Sequence, residues 1–378
     1  MTGFAIQGWC PGALRPMLSG DGLVVRLRPP AGRLSPPQAR AIAAAATAHG
    51  NGLIDLSARG NLQLRGVTEV SHPALIADLR ALDLIDANPQ AEAARNLLVT
   101  PFADARTEAL AEALSRALIA GPVLPSKFGV VLDTGPAPLM QDIAGDIRLE
   151  RDAMGRLLLR CDGLPLGAPV SASDVPMLAL RLAAWFLAAG GVQDGRGRMA
   201  ALIASGAQPD GALSPSTPPA PAQPAPGPGL HPQGALVGFE FGQLTAAQLA
   251  SLSALGPLRL TPWRMLLVEG LTALPALPGL ILRADDPLRR VEACPGAPAC
   301  LQGRAATRPL ARRLAAQVPP GRRLHVSGCA KGCAHPVPAD LVLVASDRGF
   351  DLIHQGRAGD APQRRDLSAT DIDLKGLF

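Results

Sequence analysis

Apolar positions along the chain fall into two similar blocks. Leu23–Leu27 (LVVRL) reads as a short strand, and Ser35 followed by Pro36 marks a helix start that ends near Gly50. Leu53–Val67 (LIDLSARGNLQLRGV) comes next. In the second block Ala235–Phe241 reads as a strand, Thr245 caps a helix closed by Gly256, and Pro257–Leu271 (PLRLTPWRMLLVEGL) follows. The last segments of the two blocks align without a gap. Leu56 falls on Leu260, Ser57 on Thr261, Leu62 on Leu266 and Gly66 on Gly270. A strand–helix–strand unit present twice predicts a pseudo-twofold α+β architecture.

The correspondence continues further along the chain. A polar loop follows each block, Asn88–Pro101 after the first and Cys294–Cys300 after the second. Leu124–Asp133 (LPSKFGVVLD) then matches Arg323–Cys329 (RLHVSGC) in position. Between the halves, residues 206–233 are rich in Pro, Ala, Ser and Gly, which predicts a semi-extended linker without a packed core. Met177–Val192 is the most apolar stretch; it is short and carries Arg181, so it reads as a core helix and not a membrane span.

Composition narrows the function classes. The 378 residues are 48% hydrophobic and 18% charged, which is globular, and the length suggests two or three domains. The net charge of +5 comes from arginine, whose planar fork suits carboxylates and phosphates. Aromatic residues are only 3% and no basic run is interleaved with them, which argues against nucleic-acid binding and leaves a polyanionic small molecule. The N-terminus shows no basic start followed by an apolar stretch, so a cytoplasmic chain is expected.

Four of the six cysteines form two tight pairs, Cys294–Cys300 and Cys329–Cys333, with glycine or proline between or beside the members. Grouped thiolates bind soft metals, which leaves an iron–sulfur cluster or zinc. The gaps of five and three residues differ from the two or four usual at zinc sites, and a disulfide does not suit a cytosolic chain. The spacing favours the cluster.

Taken together, these features resemble the siroheme sulfite and nitrite reductase superfamily. Its motifs occur in order: Leu23–Gly32 (LVVRLRPPAG), Ser57–Gly66 (SARGNLQLRG), Arg95–Pro101 (RNLLVTP), Leu124–Phe128 (LPSKF) and both cysteine pairs. Within it, Cys10–Gly22 (CPGALRPMLSGDG) and Val326–Pro336 (VSGCAKGCAHP) are similar to the precorrin-3B synthase family. Two departures separate the chain from the reductases. Ala330-Lys331 replaces a Pro-Asn core in the second cysteine pair, and Gly129 stands where the reductases carry a second lysine after Lys127. The alternative, a siroheme-dependent sulfite or nitrite reductase, needs that lysine for its small oxyanion.

The resemblance implies an α+β nitrite/sulfite reductase-like fold with ferredoxin-like half-domains at 1–70 and 234–284. It also implies a first α/β domain at 71–205 and a [4Fe-4S] domain at 285–378. Cys294, Cys300, Cys329 and Cys333 would be the cluster ligands, with Cys333 the residue that bridges to siroheme in the reductases. The implied activity is NADH- and O2-dependent monooxygenation of precorrin-3A to precorrin-3B, by C20 hydroxylation with γ-lactone formation, in aerobic cobalamin biosynthesis. Arg59, Arg95 and Lys127 are the expected catalytic and substrate-binding groups, with Arg26, Arg28 and Arg198 as further carboxylate partners. A mononuclear non-haem iron is also implied. No two-His-one-carboxylate pattern locates it, and His335 followed by His325 are the best-placed histidines. No G-x-G-x-x-G follows a strand and opens a helix, so electrons from NADH are expected through a separate reductase or ferredoxin. Cys10 and Cys161 stay outside this scheme, and Cys161 reads as a buried thiol.

Overall fold

The computed structural model describes residues 11–378 and holds four sheets in two matched pairs. Cys10 lies outside the described residues. The first sheet runs in the order Met17–Ser19, Gly22–Leu27, Leu62–Val67, Leu53–Leu56, Gln243–Thr245. Its counterpart runs Gly229–His231, Gly234–Phe239, Met265–Glu269, Leu258–Leu260, Arg33–Leu34. The edge strands are exchanged. Arg33–Leu34 from the first half completes the second sheet, and Gln243–Thr245 from the second half completes the first.

Helices Pro36–His49 and Ala246–Ser253 pack on each other and share one core with these sheets. Each begins with a reciprocal cap, Ser35 with Gln38 and Thr245 with Gln248, which satisfies N–H groups that the first helical turn leaves free. One continuous core joins both halves: Val25, Ile42 and Leu64 from the first pack with Val237, Leu249 and Leu266 from the second. The second helix ends at Ser253, short of the expected Gly256. A Cβ on Gly256 would stand 2.6 Å from the Glu269 carbonyl oxygen, so this glycine serves a close strand contact and not the helix end.

The other two sheets repeat the same order. Leu97–Val99, Val130–Leu132 and Ile147–Arg151 are parallel neighbours, followed by antiparallel Leu157–Cys161 and Ala168–Pro169. Val291–Ala293, Leu324–Ser327 and Ala339–Ala345 are likewise parallel, followed by antiparallel Phe350–Gly356 and Arg364–Leu367. The apolar segment around Met177 is the helix Val175–Ala188, whose Leu182, Ala183 and Phe186 are buried against the first of these sheets. Among the described residues no helix is long and apolar enough to cross a membrane.

The proline-rich segment is extended, as its composition requires, and it is also docked. Thr217 bridges Gly167, the Ala220 N–H donates to the Arg151 carbonyl at 2.8 Å, and Leu213 and Ala220 are buried. Proline lacks a backbone donor, but the non-proline residues between the prolines supply enough N–H groups to fasten the strap. The strand Gly229–His231 lies inside the span expected to be linker. Helix His72–Arg80 contributes Leu75, Ile76 and Leu79 to the central core, so the first unit runs beyond residue 70.

Candidate functional site

The two cysteine pairs follow adjacent parallel strands. Cys294 comes directly after Val291–Ala293, and Cys329 comes two residues after Leu324–Ser327, so both loops leave the sheet at its carboxyl edge. Glycine lets them interleave. A Cβ on Gly328 would stand 3.0 Å from the Gly296 Cα and 3.4 Å from the Gly303 Cα. The Gly328 N–H donates to Cys294 Sγ at 3.1 Å, and Thr307 Oγ1 donates to the Cys294 carbonyl.

All four are free thiols. Burial pushes the Cys329 and Cys333 thiols up, and each also feels the charge of Cys294 and Cys300, while Lys331 pulls the other way. Among the described residues, no three His, Cys, Asp or Glu side chains close tightly enough to hold a single metal ion. A four-iron cluster spaces its thiolates more widely than one tetrahedral ion does. The all-thiolate donor set, the N–H···S bond and the glycine-lined loops would suit such a cluster, and the same four thiolates are also a donor set for structural zinc.

The first half grips this loop from outside. The Ala299 carbonyl accepts from Ser19 Oγ at 2.7 Å, Arg65 Nη2 at 2.9 Å and the Gly20 N–H at 3.2 Å. Asp21 holds the Arg65 guanidinium with bonds of 3.0 and 2.6 Å. A Cβ on Gly20 would fall 1.9 Å from the Pro298 carbonyl oxygen, so only glycine allows this approach. The segment through Gly22 thus reaches the cysteine loop directly.

Next to the cysteines lies a cavity of about 330 Å³ between the halves. Arg26, Arg65, Arg264, Arg308, Asp55, Cys294 and Cys333 are among its walls. Four guanidinium groups and one carboxylate line it. Asp21 also pairs with Arg65 and Glu292 with Arg264, so the remaining positive charge is small and a carboxylate ligand would use the open edges of these guanidinium groups. Asp55 is shared between Arg308 (3.4 Å) and Arg65 (3.7 Å), and the buried Nε of Arg308 has no hydrogen-bond partner. Turning the Gln63 amide over lets its oxygen accept from Arg26 Nη2 at 2.8 Å and Nε at 3.1 Å.

The expected site residues do not all gather here. Of the six basic groups expected, Arg26 lines this cavity. Lys127 and Arg198 line another, of about 760 Å³, where Arg198 Nε is bonded to the buried Asp146 at 2.9 Å. Arg28 and Arg95 border a small third one of about 120 Å³. Arg95 is held by both carboxylate oxygens of Asp86 and also donates to the Arg28 carbonyl, while buried Arg28 donates to the Glu92 carbonyl. The geometry of these two is that of internal ties. Arg59 reaches the backbone of Gly129: a Cβ there would lie 2.3 Å from Arg59 Nη2.

Arg65, Arg264 and Arg308 were not expected. Arg65 sits inside the quoted SARGNLQLRG motif and could have been chosen from it; Arg264 is visible only once the two halves are superposed, and nothing local marks Arg308. His325 is fully buried with neither ring nitrogen bonded, and burial drives it down to about 4, so it is neutral. His335 stands edge-on to it with ring centroids 5.8 Å apart. Cys161 is buried, and its thiol is pushed up to about 12 by burial.

Comparison with known proteins agrees with this architecture. The family model for the nitrite/sulfite reductase ferredoxin-like half domain matches residues 15–82. The solved structure of Mycobacterium tuberculosis NirA protein superposes with a TM-score of 0.63 at 20% identity, covering 88% of this chain and 75% of that one, which shows the fold. The nitrite reductase [NAD(P)H] large subunit of Klebsiella oxytoca is 32% identical over 96 residues, 24% of this chain and 10% of that protein. A precorrin-3B synthase from Sinorhizobium sp is 32% identical over 94% of this chain and 84% of its own length. With a duplicated reductase-like fold and a relative matching almost end to end, the chain belongs to the precorrin-3B synthase family of the nitrite/sulfite reductase superfamily.

Proposed function

We propose that this oxidoreductase is an O2-dependent monooxygenase that converts precorrin-3A to precorrin-3B. The reading is carried by one observation: a cavity walled by four arginines and two of the four paired cysteines. A reduced tetrapyrrole with acetate and propionate arms is a polycarboxylate ring of the kind that bidentate arginines recognise. In this reading Arg26 and Arg308 orient the arms, and Arg65 steadies the cavity wall through Asp21 and the Ala299 carbonyl. Arg59 contributes from beside Gly129, while Lys127 belongs to the separate cavity it lines with Arg198. Arg28, Arg95 and Arg198 support the walls through their carboxylate and carbonyl ties.

Cys294, Cys300, Cys329 and Cys333 would hold a [4Fe-4S] cluster, which supplies single-electron transfer. The balance of the reaction is that of a monooxygenation. One oxygen atom enters the ring at C20 as a hydroxyl, the other leaves as water, and the ring A acetate closes a γ-lactone. Two electrons originate from NADH and arrive through a separate reductase or ferredoxin, and the two protons that complete the water are taken up from solvent. A mononuclear non-haem iron belongs to the same reading, with His325 and His335 as the histidines nearest the cysteine loops.

The siroheme reductase alternative expects a second lysine where Gly129 stands, and this chain carries none there. Aerobic incubation with precorrin-3A, followed by mass spectrometry, tests the proposal. A gain of one oxygen atom is expected, and none without O2. A siroheme Soret and α band in the purified protein, with sulfite or nitrite turnover, would overturn it.

A further inference from the structure

The turns Ser57–Asn61 and Thr261–Met265 are the same structure built twice. Ser57 Oγ accepts from the N–H groups of Arg59 at 3.3 Å and Asn61 at 3.1 Å. Thr261 Oγ1 accepts from Trp263 and Met265, both at 3.2 Å. Each turn has one left-handed residue at the same place. In the first copy it is Gly60 at φ 61°, and in the second it is Arg264 at φ 57°. A side chain in that region is strained, so the turn itself gives no reason to replace glycine with arginine.

The neighbourhood makes room for this arginine. A Cβ on Gly242 would lie 2.8 Å from Arg264 Cβ and 2.9 Å from its Cδ. The corresponding Gly32 in the first half has only the Leu260 carbonyl oxygen near it, at 3.9 Å. The Arg264 guanidinium ends in the wall of the cysteine-lined cavity. There it meets Glu292 Oε2 at 3.2 Å and the carbonyl of Ala334, the residue after Cys333, at 3.0 Å. Its side chain is still 24% exposed. A second, separate cavity carries it too, with Arg289 and Arg323.

We infer that Arg264 is a ligand-binding residue that takes a carboxylate arm of the ring held in this cavity, in a strained turn kept for that purpose. The inference rests on the tetrapyrrole reading above. A carboxylate would use the guanidinium face left open beside Glu292, and the tie to Ala334 would hold that face next to Cys333.

The test measures fluorescence titration of the full-length, cluster-loaded protein with two probes, uroporphyrin (eight carboxylates) and its neutral methyl ester. Arg264→Gly is the informative variant, because relief of the strained turn offsets part of the loss of the ties to Glu292 and Ala334, so the protein should stay folded with a thermal midpoint close to wild type. The expected result is at least tenfold weaker uroporphyrin binding and a shallower salt dependence, with the visible absorbance of the cluster unchanged. Wild-type-like uroporphyrin affinity in Arg264→Gly would overturn the inference alone. So would loss of the cluster absorbance together with binding, since Arg264 would then be only a structural tie to the Cys333 loop. If the wild-type protein binds the neutral ester as well as uroporphyrin, or binds neither, the carboxylate reading of the cavity falls, and the inference with it.

Discussion

The Arg59 guanidinium occupies the volume that a side chain at residue 129 would need: a Cβ on Gly129 would stand 2.3 Å from Arg59 Nη2 and 2.8 Å from Asn96 Nδ2. The contact on the Arg59 side is the mobile end of a long side chain, so the fold can absorb a small residue there. Gly129→Ala is expected to lose no more than about 1–2 kcal/mol of stability while displacing Arg59. Product formation from precorrin-3A should drop about tenfold or more. Wild-type turnover in Gly129→Ala would remove Arg59 from the proposed machinery.

Cys300 lies at the end of the first cysteine loop, where its N–H donates to the Gly296 carbonyl at 2.8 Å. Cys300→Ala keeps that backbone bond and removes one thiolate. Visible absorbance should disappear, and iron and sulfide should fall well below the wild-type content. Unchanged iron and sulfide would mean that the ligands lie elsewhere.

Gly20 is the contact point between the first sheet and the cysteine loop, and its missing Cβ would meet the Pro298 carbonyl at 1.9 Å. The clash is with backbone, which cannot rotate away. Gly20→Ala should therefore push the Met17–Leu27 hairpin off the loop, costing about 1–3 kcal/mol. Faster loss of iron on exposure to air should accompany it. A variant with wild-type stability and iron retention would show that this grip has no role in holding the loop.

The exchanged strand is fastened by charge. Burial alone would raise the Glu269 carboxyl, but hydrogen bonds and charge from Arg33 and Arg259 outweigh burial and hold it below its ordinary value of 4.5. A depressed folded-state value means that the stabilisation is complete above the unfolded value and fades as pH falls through the folded one. Glu269→Gln should lose about 1–2 kcal/mol at neutral pH, partly screened by solvent, and its deficit should shrink under acid conditions. Urea denaturation of both proteins at neutral and acid pH measures this. A deficit that does not change with pH would assign the effect to packing.

Part of this protein was legible without the fold. Ser35-Pro36 and Thr245 stand where the helices begin, because a cap is a local exchange between a side chain and the next three residues. Gly66 and Gly270, which the alignment places together, both take positive φ. The same alignment carries a reversed ion pair, Asp55–Arg65 in one copy and Arg259–Glu269 in the other. Opposite charges attract in either order, so a search for matching residues passes over it.

What the sequence by itself determined is local and periodic: the two copies of the strand–helix–strand unit, their caps, and the two tight cysteine pairs. Only the tertiary structure decided the exchange of Arg33–Leu34 and Gln243–Thr245 between the sheets. Two or three residues carry no period, and their partners lie far away in sequence. It also sorted the arginines, because a guanidinium's role depends on which carboxylate or carbonyl reaches it first. Asp86 and Glu92 take Arg95 and Arg28 into the framework, while Arg264, in the place of a glycine, is carried to the cavity wall beside Cys333.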